Sequence, residues 1–356
     1  MTDEATLPTP LAAVVTPPPL AVVSTRRLLA TSFDLLVRTS ERMRRASFSM
    51  GTTVLLTAGP FALATWGIEV ASRDLTIEQL DAAMLEGAGG WFGLAGIVAF
   101  IGLIVALVES RIMAAAILGA ELVGRPISTR QALARSRGVF WRAVVAAIIA
   151  AIPLLIAQAV ASALIAPSTG GSPDVDLVVS VVLTAVIGAP FAYVLAGVVL
   201  GDVAAFEAVR RSFRVFRARK VAAALVAVFE AFAQILVVLG LSAGLDIAIR
   251  VFDGLGLGTS AGPVGILITT IALAVGVFAV GTLLFTVAAI AVAPQVVMFV
   301  SLTWATMGLD HVRPGGDRDP DTRRPGVLPF RWVTRSMLGG AIVAAVAAIL
   351  AVSFLP

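Results

Sequence analysis

The sequence predicts an all-α polytopic membrane protein: a helical bundle of six spans in three parallel hairpin repeats, with one further span at the C-terminus. Three observations carry this. Hydrophobic residues make up 59% of the 356-residue chain and charged ones 13%, and the mean hydropathy is +0.99, too apolar for a soluble domain of this length. Several windows exceed the roughly 20 apolar residues that cross a bilayer. Finally, 24 of the 26 Lys and Arg residues fall in four segments, 1–47, 109–142, 202–220 and 310–335. The opposite loops hold only Arg73 and Arg250 against nine acidic residues. By the positive-inside rule this predicts a cell-membrane protein with its N-terminus cytosolic and its C-terminus outside.

Residues 1–24 carry Asp3, Glu4 and five prolines, including Pro17-Pro18-Pro19. An acidic, proline-broken start lacks the basic-then-apolar order of a secretory signal, so it reads as a disordered cytosolic tail. Residues 26–38, RRLLATSFDLLVR, are amphipathic, with Leu28, Leu29, Ser32, Phe33, Leu35 and Leu36 on one arc. A first span follows at about 48–68, interrupted by Pro60, and then an acidic loop at 69–90. The second apolar stretch runs from Trp91 to about Gly124 and contains Glu109, Arg111 and Glu121. It is longer than one crossing needs, so Glu109 and Arg111 either mark the cytosolic edge or lie inside the membrane.

Residues 128–142, STRQALARSRGVFWR, form a second amphipathic segment ahead of a span at 143–164 containing Pro153. A short loop leads to the fourth span, 177–201, containing Pro190. The fifth is expected at 221–243. The apolar run from Val264 to Leu309 has no polar loop to divide it, so we expect one span, a bend at Pro294 and a trailing helix. A charged linker at 311–335 precedes the final transmembrane helix, 336–356.

The most informative stretch lies between the fourth and fifth spans. On a helix, Ala204–Lys220 puts Phe206, Val209, Ser212, Phe213 and Phe216 on one half and Glu207, Arg210, Arg211, Arg214 and Arg217 on the other. That is the pattern of a helix in the membrane interface, with arginines among anionic headgroups. Arg135, Arg137 and Arg142 of the second amphipathic segment are expected to contact headgroups in the same way.

These segments resemble one another. Ala132-Leu133-Ala134-Arg135-Ser136 aligns with Ala208-Val209-Arg210-Arg211-Ser212 at an offset of 76, and Ser32-Phe33 matches Ser212-Phe213. Gln158 and Gln234 are also 76 apart. The six-span domain, 25–310, therefore divides into units at 25–124, 125–202 and 203–310, each an interfacial helix and a two-span hairpin. Two crossings per unit keep the three parallel, related about the membrane normal.

The stretch AAFEAVRRSFRVFRARKVAAALVAVF after VLGD resembles the signature of bacterial six-span proteins named after the membrane domain of glycerophosphoryl diester phosphodiesterases. The resemblance covers about 25–310 and implies a membrane domain without the soluble catalytic barrel fused to it in some relatives. The last span lies outside that pattern.

Little in the chain suggests catalysis. There is no cysteine, a single histidine, His311, and no HExxH, phosphate-loop or GxSxG motif, which argues against His-based metal sites and triads. No cofactor or metal is expected, and the pI of about 10.7 reflects arginines beside apolar runs, which points to membrane lipids, not nucleic acid. The remaining candidates are polar groups within the membrane: Glu230 and Gln234, one turn apart in the fifth span, with Gln158, Glu109 and Arg111 as partners. Either they line a path for a lipid or small amphiphile, or Glu230 reaches the interface or is a neutral acid bonded to Gln158. The expected function is a non-enzymatic scaffold or accessory factor that engages anionic lipid, or a membrane-protein partner, in lipid or envelope handling. A transporter is the alternative, and an intramembrane enzyme acting on lipid headgroups ranks third.

Overall fold

The computed structural model describes residues 23–72, 89–169, 173–254 and 263–319, and among these every regular element is helical. The helices are α1 (Leu28–Arg38), α2 (Ser40–Ser72), α3 (Gly89–Leu122), α4 (Thr129–Thr169), α5 (Pro173–Leu183), α6 (Val194–Gly201), α7 (Ala205–Ala218), α8 (Lys220–Gly254) and α9 (Pro263–Met307). Among the described residues, four stretches are long and apolar enough to cross a membrane: Ile101–Leu122, Thr129–Leu164, Leu177–Gly201 and Ile268–Met307. The spans expected at 48–68 and 221–243 fall on α2 and α8, parts of whose side chains lie outside the described residues. The tail 1–22, most of the loop 69–90 and the final span at 336–356 also lie outside them.

α9 is the axis of the bundle. It packs against α1, α2, α3, α6 and α8. Small residues let its neighbours close in: a Cβ on Gly281 would meet the Gly51 Cα at 2.9 Å and the Met50 carbonyl at 3.0 Å. The long apolar run does continue through Pro294 to Met307 as one helix. At 1.5 Å per residue its 45 residues extend about 67 Å, over twice the roughly 30 Å hydrocarbon core.

The tight core sits at the end of the bundle where α3 and α9 finish and α4 and α8 begin. Ile112–Leu118, Val198–Leu200 and Val296–Val300 are buried there, with Ala222, Ala223 and Val226 of α8. Toward the other end, α4, α5 and α9 carry Ile152, Leu155, Leu164, Val178, Val182 and Val275 exposed. So much contiguous apolar side chain suits contact with lipid tails.

The structure corrects one expectation. Residues 128–142 are not a separate interfacial helix but the opening turns of the 41-residue α4. Buried Val139, Phe140, Ala143 and Ala146 carry one stripe across the expected boundary. α1 and α7 do stand apart, each ended by a single residue, Thr39 and Arg219. The aligned serines Ser32, Ser136 and Ser212 are all buried.

The α2–α9 crossing predicts a paired outcome. Gly281→Ala should lose about 1–3 kcal/mol because backbone must move to admit the methyl. Gly276→Ala, whose Cβ meets nothing within 4 Å, should be neutral or better. Thermal unfolding of both variants in detergent checks this, and equal midpoints would refute the close approach.

Candidate functional site

A cavity of about 670 Å³ lies between α4, the broken α5–α6 segment and α8, with α3 and α9 behind it. Its walls include Ala147, Ala151, Leu154, Ile235 and Leu239. Its polar groups are Arg111, Gln158, Ser180, Thr184, Glu230 and Gln295. Each of the four candidate spans supplies at least one of them, and α8 supplies Glu230.

Arg111 pairs through Nη2 with Glu230 Oε1, joining α3 to α8. Arg111 lies eleven residues, about 16 Å of helix, before the end of α3 at Leu122. Gln295 Nε2 donates to Glu230 Oε2 at 2.5 Å, bringing in α9. Gln295 is 1% exposed, and neither its Oε1 nor Arg111 Nε has a hydrogen-bond partner. Gln158 Nε2 donates to Ser180 Oγ at 3.3 Å on the opposite wall.

The residues expected to share an intramembrane polar site are placed as follows. Arg111, Glu230 and Gln158 share one cavity. Glu109 does not join them: two residues from Arg111 on a helix of 3.6 per turn, it faces elsewhere. It is 1% exposed, one of its carboxylate oxygens lacks a hydrogen bond, and Arg137 is the charged group acting on it. The Gln234 side chain lies outside the described residues. The structure adds Gln295, Ser180 and Thr184. A lone amide inside a 46-residue apolar run was the available signal for Gln295.

The helix forming one wall is interrupted. After Leu183 come a π turn, Thr184–Gly188, and a 3₁₀ turn, Ala189–Phe191, where Pro190 has no N–H to give. The Ser212 hydroxyl of α7 donates to the Pro190 carbonyl at 2.6 Å and accepts the Tyr193 N–H at 3.2 Å. The serine of the amphipathic motif thus satisfies the backbone that the break frees.

The expected headgroup contacts divide. Arg210, Arg214 and Arg217 are exposed on α7, as is Phe206 at 76%. Arg211 is half-buried and donates to Glu207 at 3.2 Å, as Arg214 does at 2.9 Å. Arg137 is half-buried. Arg135 and Arg142 turn inward, which corrects their assignment to lipid. Both donate to Asp202 Oδ1 at 3.0 Å, and Arg135 also donates to the Val199 and Arg313 carbonyls.

Asp202 occupies the left-handed region at φ 49° where α6 ends, so its arginines also serve the helix's terminal carbonyls. Burial would raise its pKa, but the charges of Arg135 and Arg142 and their hydrogen bonds outweigh that and hold it below the ordinary carboxylate value. The start of the charged linker is folded here too. The Arg313 N–H donates to the Leu200 carbonyl at 2.6 Å, Arg125 pairs with Asp319 at 3.1 Å, and Gln131 donates to Asp317 at 2.8 Å. His311 is exposed. Among the described residues no group of three His, Cys, Asp or Glu is placed to hold a metal.

Comparisons with protein-family models, curated proteins and solved structures return no match, so the geometry alone carries the functional argument.

Two predictions follow from the charged groups. Arg111→Met should cost about 3–5 kcal/mol by removing the charge paired with Glu230, and adding Glu230→Met should restore most of it. Unfolding midpoints of the two single variants and the double variant give the coupling, and strict additivity would rule out the pair. Asp202, with its lowered pKa, stabilises the fold above the unfolded carboxylate value of about 4 and ceases to as pH falls through the lower folded value. Asp202→Asn should therefore lose on the order of 3 kcal/mol at pH 7, with the gap to wild type narrowing toward pH 3. Parallel acid-unfolding curves would contradict that assignment.

Proposed function

We propose that this is a non-enzymatic integral membrane protein that takes an amphiphile, a lipid or a molecule built like one, into the cavity between α4, α5–α6 and α8. The observation that carries this is one space holding both an ion pair and an apolar wall. Arg111, Glu230, Gln295 and Gln158 offer a headgroup donors and acceptors, and Leu154, Ile235 and Leu239 offer a chain its solvent. A charge pair beside an apolar cavity in a membrane bundle is the arrangement that substrate paths use. The reading favours a carrier or transporter over a passive scaffold.

Exposed Phe206, Arg210, Arg214 and Arg217 on α7 favour a second role, with this helix lying among anionic headgroups of the inner leaflet. In the topology we propose, the basic segments are cytosolic, three parallel hairpins make six crossings, and residues 336–356 make a seventh. The resemblance to phosphodiesterase membrane domains fits a lipid-handling role without chemistry of its own.

Native mass spectrometry of protein extracted in mild detergent tests the cavity. Wild type should carry co-purifying amphiphile. Ala151→Trp and Ala231→Trp, on facing walls, should each lose at least tenfold of it while keeping the wild-type melting profile. Full retention in both folded variants would remove the proposal.

A further inference from the structure

A second cavity, of about 320 Å³, lies at the basic end of the bundle, where α6 ends, α7 begins and the segment after α9 returns across them. It shares no lining residue with the amphiphile cavity. Its charged and polar side chains are Asp202, Glu207, Arg211, His311 and Arg313. Arginine outweighs carboxylate around it. Asp202 is answered by both Arg135 and Arg142, and Glu207 by both Arg211 and Arg214. Among the described residues no carboxylate pairs with Arg313. From this surplus we propose that the hollow binds a phosphate dianion, held between the guanidinium groups of Arg211 and Arg313.

Both guanidinium groups keep donors in reserve. Arg211 donates through Nε to Glu207 at 3.2 Å, and its Nη1 is enclosed beside Gly201. Its Nη2 is neither hydrogen-bonded nor enclosed. Arg313 donates through Nε to the Asp310 carbonyl at 3.0 Å, which leaves both of its Nη groups for the hollow. Backbone fixes the root of each side chain. The Arg313 N–H donates to the Leu200 carbonyl, and its own carbonyl accepts from Arg135. Arg211 precedes Ser212, whose hydroxyl is tied to the Pro190 and Tyr193 backbone. Arginines held this way lose little freedom when a ligand arrives.

Phosphate suits these donors. Planar guanidinium groups match an oxyanion that presents several oxygens, and a surplus of more than one positive charge favours two negative charges over one. Ala204, which also lines the hollow, is the N-cap of α7 and has no side-chain hydrogen bond to give the first turn, so the positive end of that helix adds to the attraction. In the topology proposed above, two carriers of the group reach this place: a phosphomonoester headgroup of the inner leaflet and free phosphate of the cytosol.

The test puts the full chain in phosphatidylcholine nanodiscs and titrates inorganic phosphate by calorimetry, at constant ionic strength and about pH 8, where most of it is dianionic. Wild type should bind one phosphate per chain. Arg211→Gln and Arg313→Gln should each weaken binding about tenfold, the worth of a hydrogen bond to a charged group. Arg210→Gln and Arg217→Gln, on the exposed face of α7, should bind as wild type does. Arg313→Gln keeps its backbone ties and should melt as wild type does in phosphate-free buffer. Discs of matched surface charge carrying phosphatidate, a phosphomonoester, or phosphatidylglycerol, a phosphodiester, separate the two sources. Phosphate binding lost with phosphatidate alone assigns the site to a lipid headgroup, and binding kept in both assigns it to the free ion. Binding lost equally with phosphatidylglycerol overturns the preference for a dianion. No phosphate bound in phosphatidylcholine discs, or Arg210→Gln weakening binding as much as Arg313→Gln, overturns the site itself. None of these outcomes bears on the amphiphile cavity.

Discussion

A charge buried among apolar helices must be answered by another charge, and that constraint organises the described interior of this protein. Arg111 and Glu230 lie on different helices among largely apolar neighbours, and breaking such a pair by removing one partner is costly. Pairing them fixes the separation of α3 and α8, and the amide of Gln295 ties both to α9. α9 can pass so close to its neighbours because small residues such as Gly51 and Gly281 leave room. The cavity is the space left beside this three-helix tie, on the side where α4 and α5 stand away from it.

A second knot at the basic end acts on backbone instead of on span position. Arg135 answers the carbonyls that α6 leaves open, Asp202 neutralises Arg135 and Arg142, and the chain after α9 crosses the same place through Arg313. Charges that read as headgroup contacts thus bind three helix ends and a returning segment together. The two knots differ in chemistry. One joins side chains beside the cavity; the other also engages backbone carbonyls.

Much of the architecture was legible in composition and periodicity. Apolar runs longer than a bilayer and arginines confined to alternate segments point to a membrane bundle without any tertiary knowledge. Glu230 and Arg111 could be matched because each stood out against apolar neighbours. What stayed hidden was direction. An arginine on an amphipathic helix looks the same in sequence whether it faces phosphate or a buried aspartate, so Arg135 and Arg210 read alike although only one is exposed. Helix continuity from Arg130 into the following span was hidden for a related reason. The basic turns and the apolar turns share one buried stripe, and a sharp change in polarity there resembles a boundary.

Ser212 carries a consequence of its own. Its hydroxyl lies between the Pro190 carbonyl and the Tyr193 amide, so a residue on a surface-lying helix completes the backbone of a cavity wall. With α7 placed among headgroups as proposed above, a lateral pull on it would reach that wall through these two hydrogen bonds, so the state of the leaflet and the shape of the chamber would change together.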